Sequence, residues 1–590
     1  MKKRTLMLGK SICLCMFCFL LIGCSFFEGA VKDTPKEREP ETDFDYRTIE
    51  QQEGISTDLA ENLFYLGKVW GFLKYYHPNV AEGEFNWDQE LFYIMPEVLT
   101  ATSSAERDNV LVEWIDSLGE IKSTSSESPE DEAGEVKMEP DLDWLNSSGF
   151  SEELEEVLQT VKNSERGGSH HYVSLVEDVG NPVFENEREY RQQLYPETEY
   201  RLLSLYRYWN IIEYYFPYKY LIDEDWDDVM KEFIPKFVHA ENEQEYRMTA
   251  LELIARIDDT HANIWKTGSA IEEYWGKKFA PAILTFVEGK PVVTGYYQEE
   301  HGKSSGLEIG DVITKIDGKT IEEILEVQLK YVPASNYETQ LRDMALKLLR
   351  TNEESLTVEI ERDGELESLE VAVFTKNNLG VDQFSLARNG TEPFQLLESN
   401  SIAYLYMGGF FSSYLKDYQS EIDKSKGLII DLRSYPADFG VFEIGEYLLP
   451  ESREFAKFSN GNLEHPGFFT MTPPMQVGED NEEHYKGKIV ILINEITQSS
   501  AEYHAMAFRT AENAIVIGST TAAADGNISF LTLPGGIETS ITGIGVYYPD
   551  GTETQRVGII PDIYVTPTIE GIKEGRDELL EKAIEIINEQ

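Results

Sequence analysis

The sequence predicts a multidomain α/β (α+β) protein, with an N-terminal helical repeat region followed by two units that contain strands. Three observations support this prediction. The chain has 590 residues, which is long enough for several domains with sizeable cores. An aromatic helical motif occurs twice in the first half, and strands alternate with helices in the last third. That alternation is typical of an α/β core built on a mixed sheet.

The first 24 residues have the pattern of an export signal. Basic residues precede an apolar run over 11–22, which is too short to span a bilayer and suits a secretory signal. The run ends Leu21-Ile22-Gly23-Cys24 and resembles a bacterial lipobox. This resemblance implies a signal peptide over 1–23, cleavage before Cys24 and lipidation of its thiol, so we expect an extracytoplasmic protein anchored to a membrane of the cell envelope. A plain signal peptide with an incidental cysteine is the alternative.

Composition restricts the partners that the mature chain is expected to bind. Its four cysteines all lie at or before Cys24, so no disulfide is expected within the mature chain. Loss of the four basic residues of the signal changes the net charge from −56 to −60. So acidic a protein is not expected to bind nucleic acid or anionic lipid. The polar, charged residues over 24–57 predict a flexible tether.

The helical region is an internal duplication with an offset of 139 residues. Seven identical residues recur without a gap over 27 positions, and apolar residues at helical spacing surround them. The first set is Trp70, Tyr75, Tyr76, Pro78, Trp87, Asp88 and Pro96, and the second is Trp209, Tyr214, Tyr215, Pro217, Trp226, Asp227 and Pro235. We predict copy 1 over 58–122, an acidic linker or insertion over 123–195, disordered over Ser123–Asp141, and copy 2 over 196–275.

Copy 2 ends in a histidine that copy 1 lacks. His261 lies in Asp259-Thr260-His261-Ala262 after an amphipathic helix, and copy 1 has Lys122 at this position. A polar turn residue is the plain interpretation, but His261 is the best placed of the nine histidines to act as a base. The other histidines, such as His170, His171 and His504, lack the spacing of a metal site. We expect neither a metal nor another cofactor.

A separate unit is predicted over 280–375. It contains Gly306-Leu307-Glu308-Ile309-Gly310-Asp311, followed by a short strand and an Asp-Gly turn. This resembles the Gly-Leu-x-x-Gly-Asp core of a bacterial PDZ domain. The resemblance implies that the unit captures extended peptide ends by strand addition, with backbone N–H groups receiving the carboxylate. Gly306, Leu307 and Gly310 are the candidate peptide-binding residues.

The final unit, over 395–590, contains hydroxyl groups at a strand-to-helix turn. We predict a buried strand over Ile489–Ile493, a turn with Ser499 and Ser500, a helix from about Ala501 to Ala511 and a second strand over Ala514–Gly518. The free N–H groups at the start of such a helix can stabilise a developing oxyanion. The alternative is an ordinary serine N-cap with Glu502 in the first turn.

Over about 250–590 the chain resembles the C-terminal processing (tail-specific) peptidases and the tricorn core protease. The motifs are Asp431-Leu432-Arg433-x-x-Pro436, Ser499-x-x-Glu502, Val557-Gly-Ile-Ile-Pro-Asp562 and the upstream PDZ-like unit. The resemblance implies a mixed-sheet serine peptidase core over 395–590 with Ser499 as nucleophile. It also implies that Ser500 and the loop around Ala437 supply backbone N–H groups to the oxyanion. The family often has Gly-Gly where this chain has Ala437-Asp438.

This chain lacks the lysine that acts as base in the Ser–Lys branch of this family. The lysine of that branch falls on Ala524, and no lysine occurs between Lys488 and Lys573. The tricorn-like branch instead uses a histidine ahead of the PDZ-like unit, which implies His261 as base, with a hydroxyl of Thr260 nearby. A histidine base needs an acceptor on its second nitrogen. The family's glutamate position is Gln555 here, and Glu553 lies two residues earlier, so both remain candidates.

These residues predict an extracytoplasmic serine endopeptidase that cleaves peptide bonds of envelope or secreted polypeptides. Its expected partners are peptide or protein substrates and, through lipidated Cys24, a membrane. The alternative is a catalytically inactive envelope lipoprotein that retains the peptidase fold and binds peptides or other ligands. Gln555 and the missing lysine favour that alternative. A structural lipoprotein whose repeats make protein contacts is a third possibility, and it leaves the Ser499 and His261 motifs unexplained.

Overall fold

The structure is a computed structural model that describes residues 36, 38, 44–51, 54–121, 134–266, 268–381 and 391–589. The predicted signal peptide, Cys24, Lys122 and most of the predicted tether lie outside these residues, as does the first part of the predicted linker. Within the described ranges, no helix is both long and apolar enough to cross a bilayer. The same ranges contain no cluster of three or more His, Cys, Asp or Glu side chains that could hold a metal ion.

The N-terminal half is mainly helical. Its elements are α1 (Arg47–Glu50), α2 (Thr57–Tyr76), α3 (Pro78–Ala81), α4 (Trp87–Thr100), α5 (Ser104–Ser117), β1 (Val136–Met138), α6 (Trp144–Ser147), α7 (Glu152–Lys162), β2 (Val173–Leu175), β3 (Pro182–Phe184), α8 (Thr198–Tyr215), α9 (Trp226–Val238), α10 (Glu243–Ala255) and α11 (Gly268–Trp275). Helices α2, α4 and α5 of copy 1 correspond to α8, α9 and α10 of copy 2.

Each copy is held together by a reciprocal pair of tryptophans. In copy 1 the indole Nε1 of Trp70 donates to the carbonyl of Trp87, and the indole of Trp87 donates to the carbonyl of Trp70, both at 3.0 Å. In copy 2, Trp209 and Trp226 make the same two bonds at 2.6 and 3.1 Å. The rings stack in both pairs, with centroids 6.4 and 6.3 Å apart. The repeated tryptophans therefore fasten one long helix to the next in each copy.

Two ion pairs cross between the copies and are related by the same offset. Lys68 Nζ lies 2.7 Å from Asp227 Oδ1, and Arg207 Nη2 lies 3.0 Å from Asp88 Oδ2. Position 207 is the copy-2 counterpart of 68, and position 227 is that of 88. Such reciprocal contacts are the pattern of an isologous interface. The duplicated helices thus pack about an approximate two-fold axis.

Of the two alternatives predicted for 123–195, a linker or an insertion, the structure shows an insertion in the second part, and the disorder predicted over Ser123–Asp141 is wrong for 136–138, which form β1. Residues 136–184 contain β1, α6, α7, β2 and β3, and β1 pairs with a strand of the final unit. Helix α7 buries Leu154, Leu158 and Val161, which recur at helical spacing on one face. Acidic side chains on the opposite face of α7 are exposed, a pattern that is also typical of a solvated linker. It is an insertion with an ordered structure.

The second unit is an antiparallel sheet with flanking helices. Its elements are β4 (Lys278–Phe279), β5 (Ala282–Val287), β6 (Lys290–Tyr296), α12 (Glu299–Ser304), β7 (Val312–Ile316), β8 (Lys319–Thr320), α13 (Ile321–Gln328), α14 (Tyr337–Leu348), β9 (Arg350–Thr351), β10 (Ser355–Arg362), β11 (Glu365–Ala372), β12 (Phe374–Thr375) and α15 (Lys376–Leu379). The main sheet has the order β11-β10-β7-β6-β5, with β8 paired to β7.

The final unit is an α/β core. Its elements are β13 (Phe394–Leu397), β14 (Ile402–Tyr406), α16 (Leu415–Ile422), β15 (Gly427–Asp431), α17 (Val441–Leu448), β16 (Arg453–Gly461), β17 (Phe469–Met471), β18 (Met475–Val477), β19 (Lys488–Ile493), α18 (Ser500–Phe508), β20 (Ala514–Gly518), β21 (Ile528–Leu533), β22 (Ile537–Thr542), β23 (Val546–Tyr547), β24 (Ile563–Tyr564), α19 (Ile569–Glu574) and α20 (Glu578–Asn588). The predicted helix from about Ala501 to Ala511 is thus shorter at its C-terminal end.

The central sheet of this core has the order β13-β14-β15-β19-β20-β24. Strand β13 is antiparallel to β14, and the other neighbours are parallel, so the sheet is mixed as predicted. One face packs against α17 and α18, and the other packs against α20. Because β14, β15, β19 and β20 are parallel, the loops that follow them meet at one edge of the sheet. Ser499 lies in one of these loops.

Candidate active site

Ser499 occupies a strained turn between β19 and α18. Its backbone has φ 56° and ψ −118°, a conformation that costs a non-glycine residue about 1–3 kcal/mol. The surrounding structure holds it there, because its N–H is shared between the carbonyl of Ala524 and the carboxyl group of Glu502, both at 3.0 Å. A serine on such a strained strand-to-helix turn is characteristic of a nucleophile.

Glu502 ties this turn to the loop after β20. Its side chain is fully buried and accepts backbone N–H groups from Ala523 at 2.9 Å and Ala524 at 3.1 Å, as well as the hydroxyl of Thr521. Burial raises the pKa of Glu502 to about 7, although these hydrogen bonds oppose the shift. Glu502 therefore holds the Ser499 turn and the segment 521–524 together through hydrogen bonds at the start of α18.

His261 lies in the turn after α10 and is only 5% exposed. Its backbone N–H donates to Asp259 Oδ1 at 3.0 Å, and its carbonyl accepts the Ser540 hydroxyl at 2.7 Å. Burial lowers the pKa of the imidazole, and the charge of Asp259 partly opposes this. The ring is thus fixed in place and favours its neutral form, which is the form a general base requires.

The Nδ1 atom of His261 faces a threonine and, behind it, an aspartate. Nδ1 lies 2.8 Å from Thr542 Oγ1, and that hydroxyl donates to Asp259 Oδ1 at 2.8 Å. The backbone N–H of Thr542 donates to Asp259 Oδ2 at 2.6 Å. The Nε2 atom makes no hydrogen bond to a residue that the structure describes. Thr542 ends β22, so the β21–β22 hairpin supplies the partner of the ring.

One short segment, residues 521–524, contacts both the serine turn and the histidine turn. Ser499 binds the carbonyl of Ala524, and Thr260 Oγ1, next to His261, donates to the carbonyl of Ala522 at 3.0 Å. Ala523 within this segment also has a positive φ of 56°. The structure therefore brings together two motifs that are more than 200 residues apart in the sequence.

Neither predicted acceptor contacts the imidazole. The Gln555 amide Nε2 lies 3.2 Å from Ser335 Oγ and 3.4 Å from Asp259 Oδ1. Glu553 Oε1 instead accepts Lys137 Nζ at 2.6 Å and the Tyr220 hydroxyl at 2.7 Å. The prediction that Gln555 or Glu553 directly orients His261 is therefore wrong for this structure. Lys137 of the inserted segment and Tyr220 of copy 2 hold Glu553, and no sequence pattern predicts either contact.

The two predicted oxyanion donors differ in availability. Ser500 begins α18, and its N–H makes no backbone hydrogen bond to a described residue, as expected at the start of a helix. The N–H of Ala437 donates to the carbonyl of Met407 at 2.8 Å. Ala437 is therefore not a free donor in this conformation, because its loop folds back on the end of β14. The side chain of Tyr435, in the same loop, lies within hydrogen-bonding reach of Ser499.

Gly306 and Gly310 of the second unit lie in a turn. Of the backbone N–H groups predicted to bind a peptide carboxylate there, those of Leu307 and Gly310 are occupied. Gly306 and Gly310 have φ of 83° and 95°, which favours glycine. The N–H of Leu307 donates to Ser305 Oγ at 3.2 Å, and that of Gly310 donates to the carbonyl of Val293 at 2.8 Å. The side chain of Leu307 is buried. The N–H groups of Leu307 and Gly310 are thus occupied within the unit in this structure, and peptide binding by Gly306, Leu307 and Gly310 stays a prediction.

The sequence-based prediction missed Asp259, Thr542 and Ser335. Asp259 stands two residues before His261, and this short spacing is a signal that could have identified it. Thr542 is 281 positions from His261, and no motif surrounds it. Ser335 likewise reaches Thr260 and Gln555 only through the tertiary fold. The environment of the histidine therefore comes from four separate parts of the chain.

Comparison with known proteins identifies the final unit. The family model for peptidase family S41 matches residues 401–565, which include Ser499 and the surrounding loops. Residues 401–565 form a peptidase family S41 domain. The S41 domain places the protein among the serine peptidases. A comparison with curated proteins found no match by sequence.

Several solved structures are similar to this chain at low sequence identity. A mutant of CPAF is 13% identical with a TM-score of 0.50, over 66% of this chain and 96% of that one. The photosystem II D1 C-terminal processing protease is 14% identical with a TM-score of 0.37, over 63% and 96%. The tricorn protease is 16% identical with a TM-score of 0.35, over 73% of this chain and 42% of that one. The likeness to the CPAF mutant shows a common fold.

Proposed function

We propose that this protein is an extracytoplasmic serine endopeptidase, with Ser499 as nucleophile and His261 as general base. The observation that carries the proposal is the segment 521–524, which binds the Ser499 turn on one side and the Thr260-His261 turn on the other. Two features support these roles: the strained backbone of Ser499, and the Nε2 of His261, which has no hydrogen-bond partner in the described part of the chain.

In this mechanism Ser499 Oγ attacks the carbonyl carbon of the scissile peptide bond. His261 Nε2 takes the hydroxyl proton as the bond forms and returns it to the leaving amine as the C–N bond breaks. A water molecule, deprotonated by the same nitrogen, then cleaves the acyl-enzyme ester. The N–H of Ser500 at the start of α18 stabilises the oxyanion of each tetrahedral intermediate. Ala437 joins it as a second donor only after its bond to Met407 breaks.

The proposed location follows from the N-terminal sequence. The basic residues, the short apolar run and Leu21-Ile22-Gly23-Cys24 suit export and attachment to a membrane through a lipid on Cys24. The substrates are then polypeptides of the envelope or secreted proteins. Under this proposal the sheet of the second unit retains a role in binding peptide ends by strand addition.

One observation favours a second candidate function, a ligand-binding lipoprotein without catalysis. The N–H of Ala437 is occupied by Met407, so one of the two donors expected for an oxyanion is missing in this conformation. A protein with this geometry fixed would bind peptides without cleaving them efficiently, since loss of one oxyanion donor typically costs about 10²–10³ in rate.

Hydrolysis of an unfolded protein distinguishes the two functions. The soluble form beginning after Cys24 is incubated with a denatured, fluorescently labelled protein, alongside Ser499→Ala and His261→Ala. We expect wild-type cleavage and a loss of about 10³-fold or more in each variant. Labelling by a fluorophosphonate, which reacts with activated serines, should depend on both residues. Peptide binding without cleavage or labelling would support the second function and reject the first.

A further inference from the structure

No carboxylate of a described residue hydrogen-bonds directly to the imidazole of His261, whereas a catalytic histidine usually has such a partner. We infer that Asp259, acting through the hydroxyl of Thr542, is the group that orients His261 and stabilises its charged form. Ser499, His261, Thr542 and Asp259 would then form a four-residue relay. The inference rests on the proposed peptidase function and adds two positioning residues to it.

The direction of each hydrogen bond follows from what the groups can donate. An ionised carboxylate only accepts, so the 2.8 Å contact between Thr542 Oγ1 and Asp259 Oδ1 uses the proton of the hydroxyl. The threonine oxygen must then accept from His261 Nδ1, which lies 2.8 Å away. The ring therefore carries its proton on Nδ1. Nε2 then keeps its lone pair, which is what the proposed role as base requires.

Asp259 is held firmly enough for this role. Its side chain has no solvent exposure, and that of Thr542 also has none. Four donors converge on the carboxyl group: the backbone N–H groups of His261 and Thr542, the hydroxyl of Thr542 and the amide of Gln555. Buried hydrogen bonds of this kind are stronger than the same bonds in water. The cluster thus fixes the rotamer of Thr542 and, through it, the plane of the ring.

The same geometry supplies the charge that the reaction needs. Asp259 Oδ1 lies 3.9 Å from His261 Nδ1, so a negative charge is close to the ring when the imidazole takes the serine proton. Coulomb attraction at this distance favours the imidazolium. Asp259 therefore provides both functions that the aspartate of a serine–histidine–aspartate triad provides, without direct contact with the ring.

This arrangement also explains Gln555, which stands where the resemblance implies a glutamate. The side chain of Gln555 is 1% exposed, and its Nε2 lies 3.4 Å from Asp259 Oδ1. A glutamate at this position would put a second carboxylate beside Asp259 in a buried site, where two negative charges repel strongly. A neutral amide can donate to Asp259 instead. The exchange of glutamate for glutamine is thus compensated by the aspartate two residues before the base.

The test compares two threonines on the same strand. Thr542→Val removes the hydroxyl of the relay and keeps its shape. Thr539→Val is the matched control, because Thr539 lies on the same strand, is equally buried and has a hydroxyl without a hydrogen-bond partner among the described residues. We expect Thr542→Val to lower kcat about 10-fold or more with little change in KM. Thr542→Ser should recover most of the activity, and Thr539→Val should retain it.

The pH profile adds a measurement that a merely structural role would not change. Asp259→Asn should lower kcat by about 10²–10⁴-fold. Because the charge of Asp259 raises the pKa of His261, its removal should also move the acidic limb of kcat/KM to lower pH. Gln555→Glu should reduce activity. Far-UV circular dichroism and thermal unfolding confirm that each variant is folded.

Several outcomes would overturn the inference. They are equal activities of Thr542→Val and Thr539→Val, an unchanged acidic limb in Asp259→Asn, or an increase in activity from Gln555→Glu. If Thr542→Val does not fold, the activity of Thr542→Ser and the pH profile of Asp259→Asn decide the matter. Failure of the proposed function looks different: the wild type would then bind peptide without cleaving it, or Ser499→Ala and His261→Ala would cleave as well as the wild type.

Discussion

The backbone N–H of Ser499 donates to the carbonyl oxygen of Ala524 at 3.0 Å. The sequence resembles a peptidase family with a Ser–Lys branch. In that branch, the residue corresponding to position 524 is the lysine that acts as base. In this protein the side chain of Ala524 is fully buried, and the residue contributes its backbone to the serine turn. Position 524 therefore contributes to the structure of the turn that holds the proposed nucleophile, and the proposed base, His261, lies outside the final unit.

Restoring the lysine should therefore not restore catalysis. We predict that Ala524→Lys, introduced into His261→Ala, leaves cleavage of the unfolded substrate at the level of His261→Ala. In a wild-type background the same substitution should lower the free energy of unfolding by several kcal/mol, because an ammonium group would be buried without a partner. Urea unfolding measures this loss. Recovery of activity by the lysine would show that the site still accepts Ser–Lys chemistry.

The pH dependence of cleavage should reflect the burial of His261. The imidazole must be neutral to accept the serine proton, and burial lowers its pKa below the ordinary value of 6.5. Protonation therefore sets in only at a lower pH than for an exposed histidine. We predict that kcat/KM is independent of pH from neutrality down past 6.5 before it falls, which a pH series with a short fluorogenic peptide measures. A limb centred above 6.5 would contradict the buried environment.

The stability of the peptidase core should decrease as the pH rises through the range in which Glu502 ionises. Burial raises the pKa of Glu502 from 4.5 to about 7, so the native state binds more protons than the unfolded state over this interval. The stabilising effect of the protonated form is complete below pH 4.5 and is lost by about pH 7. For a shift of this size it amounts to about 3 kcal/mol.

Glu502→Gln should reduce this pH dependence. The variant loses an acceptor for the N–H groups of Ser499, Ala523 and Ala524, so its stability is lower overall, but the slope between pH 4.5 and 7 should be smaller than in the wild type. Asp525, whose pKa is also raised by burial and by Glu502, contributes to the remaining slope. Urea unfolding at a series of pH values provides the comparison, and identical slopes would refute the assignment to Glu502.

The duplicated helices offer a matched pair of charge deletions. Arg207 is fully buried against Asp88 and Glu187, whose side chains are 6% and 7% exposed. Arg207→Met leaves the buried carboxylate of Asp88 without its cation, while Glu187 keeps its ion pair with Lys74. The loss should cost about 3–5 kcal/mol. Lys68→Met is the counterpart in the other copy and should cost less, because the side chain of Asp227 is 36% exposed and can remain hydrated. Equal losses in urea unfolding would contradict this explanation.

Local sequence patterns were sufficient to predict two strands of the central sheet and the position of Ser499, the proposed nucleophile. The strand over Ala514–Gly518 was predicted at its observed bounds, and the preceding strand within one residue, because buried parallel strands appear as short apolar runs between turns. The strand-to-helix turn with Ser499-x-x-Glu502 is likewise a local signal. The ordered elements of the insertion over 136–184 were not predicted, because its apolar residues are few and its exposed face is strongly charged.

The residue types available to the site are evident from the sequence alone: a serine at a helix start, a histidine at the end of the second repeat, and no lysine at 524. The groups that contact the histidine depend on the tertiary fold. Its hydrogen-bond partner Thr542 comes from a hairpin 281 positions away, and Asp259 reaches the ring only through that hydroxyl. Hydrogen bonds depend on distances of tenths of an ångström, and spacing in a sequence does not fix such distances between separate elements.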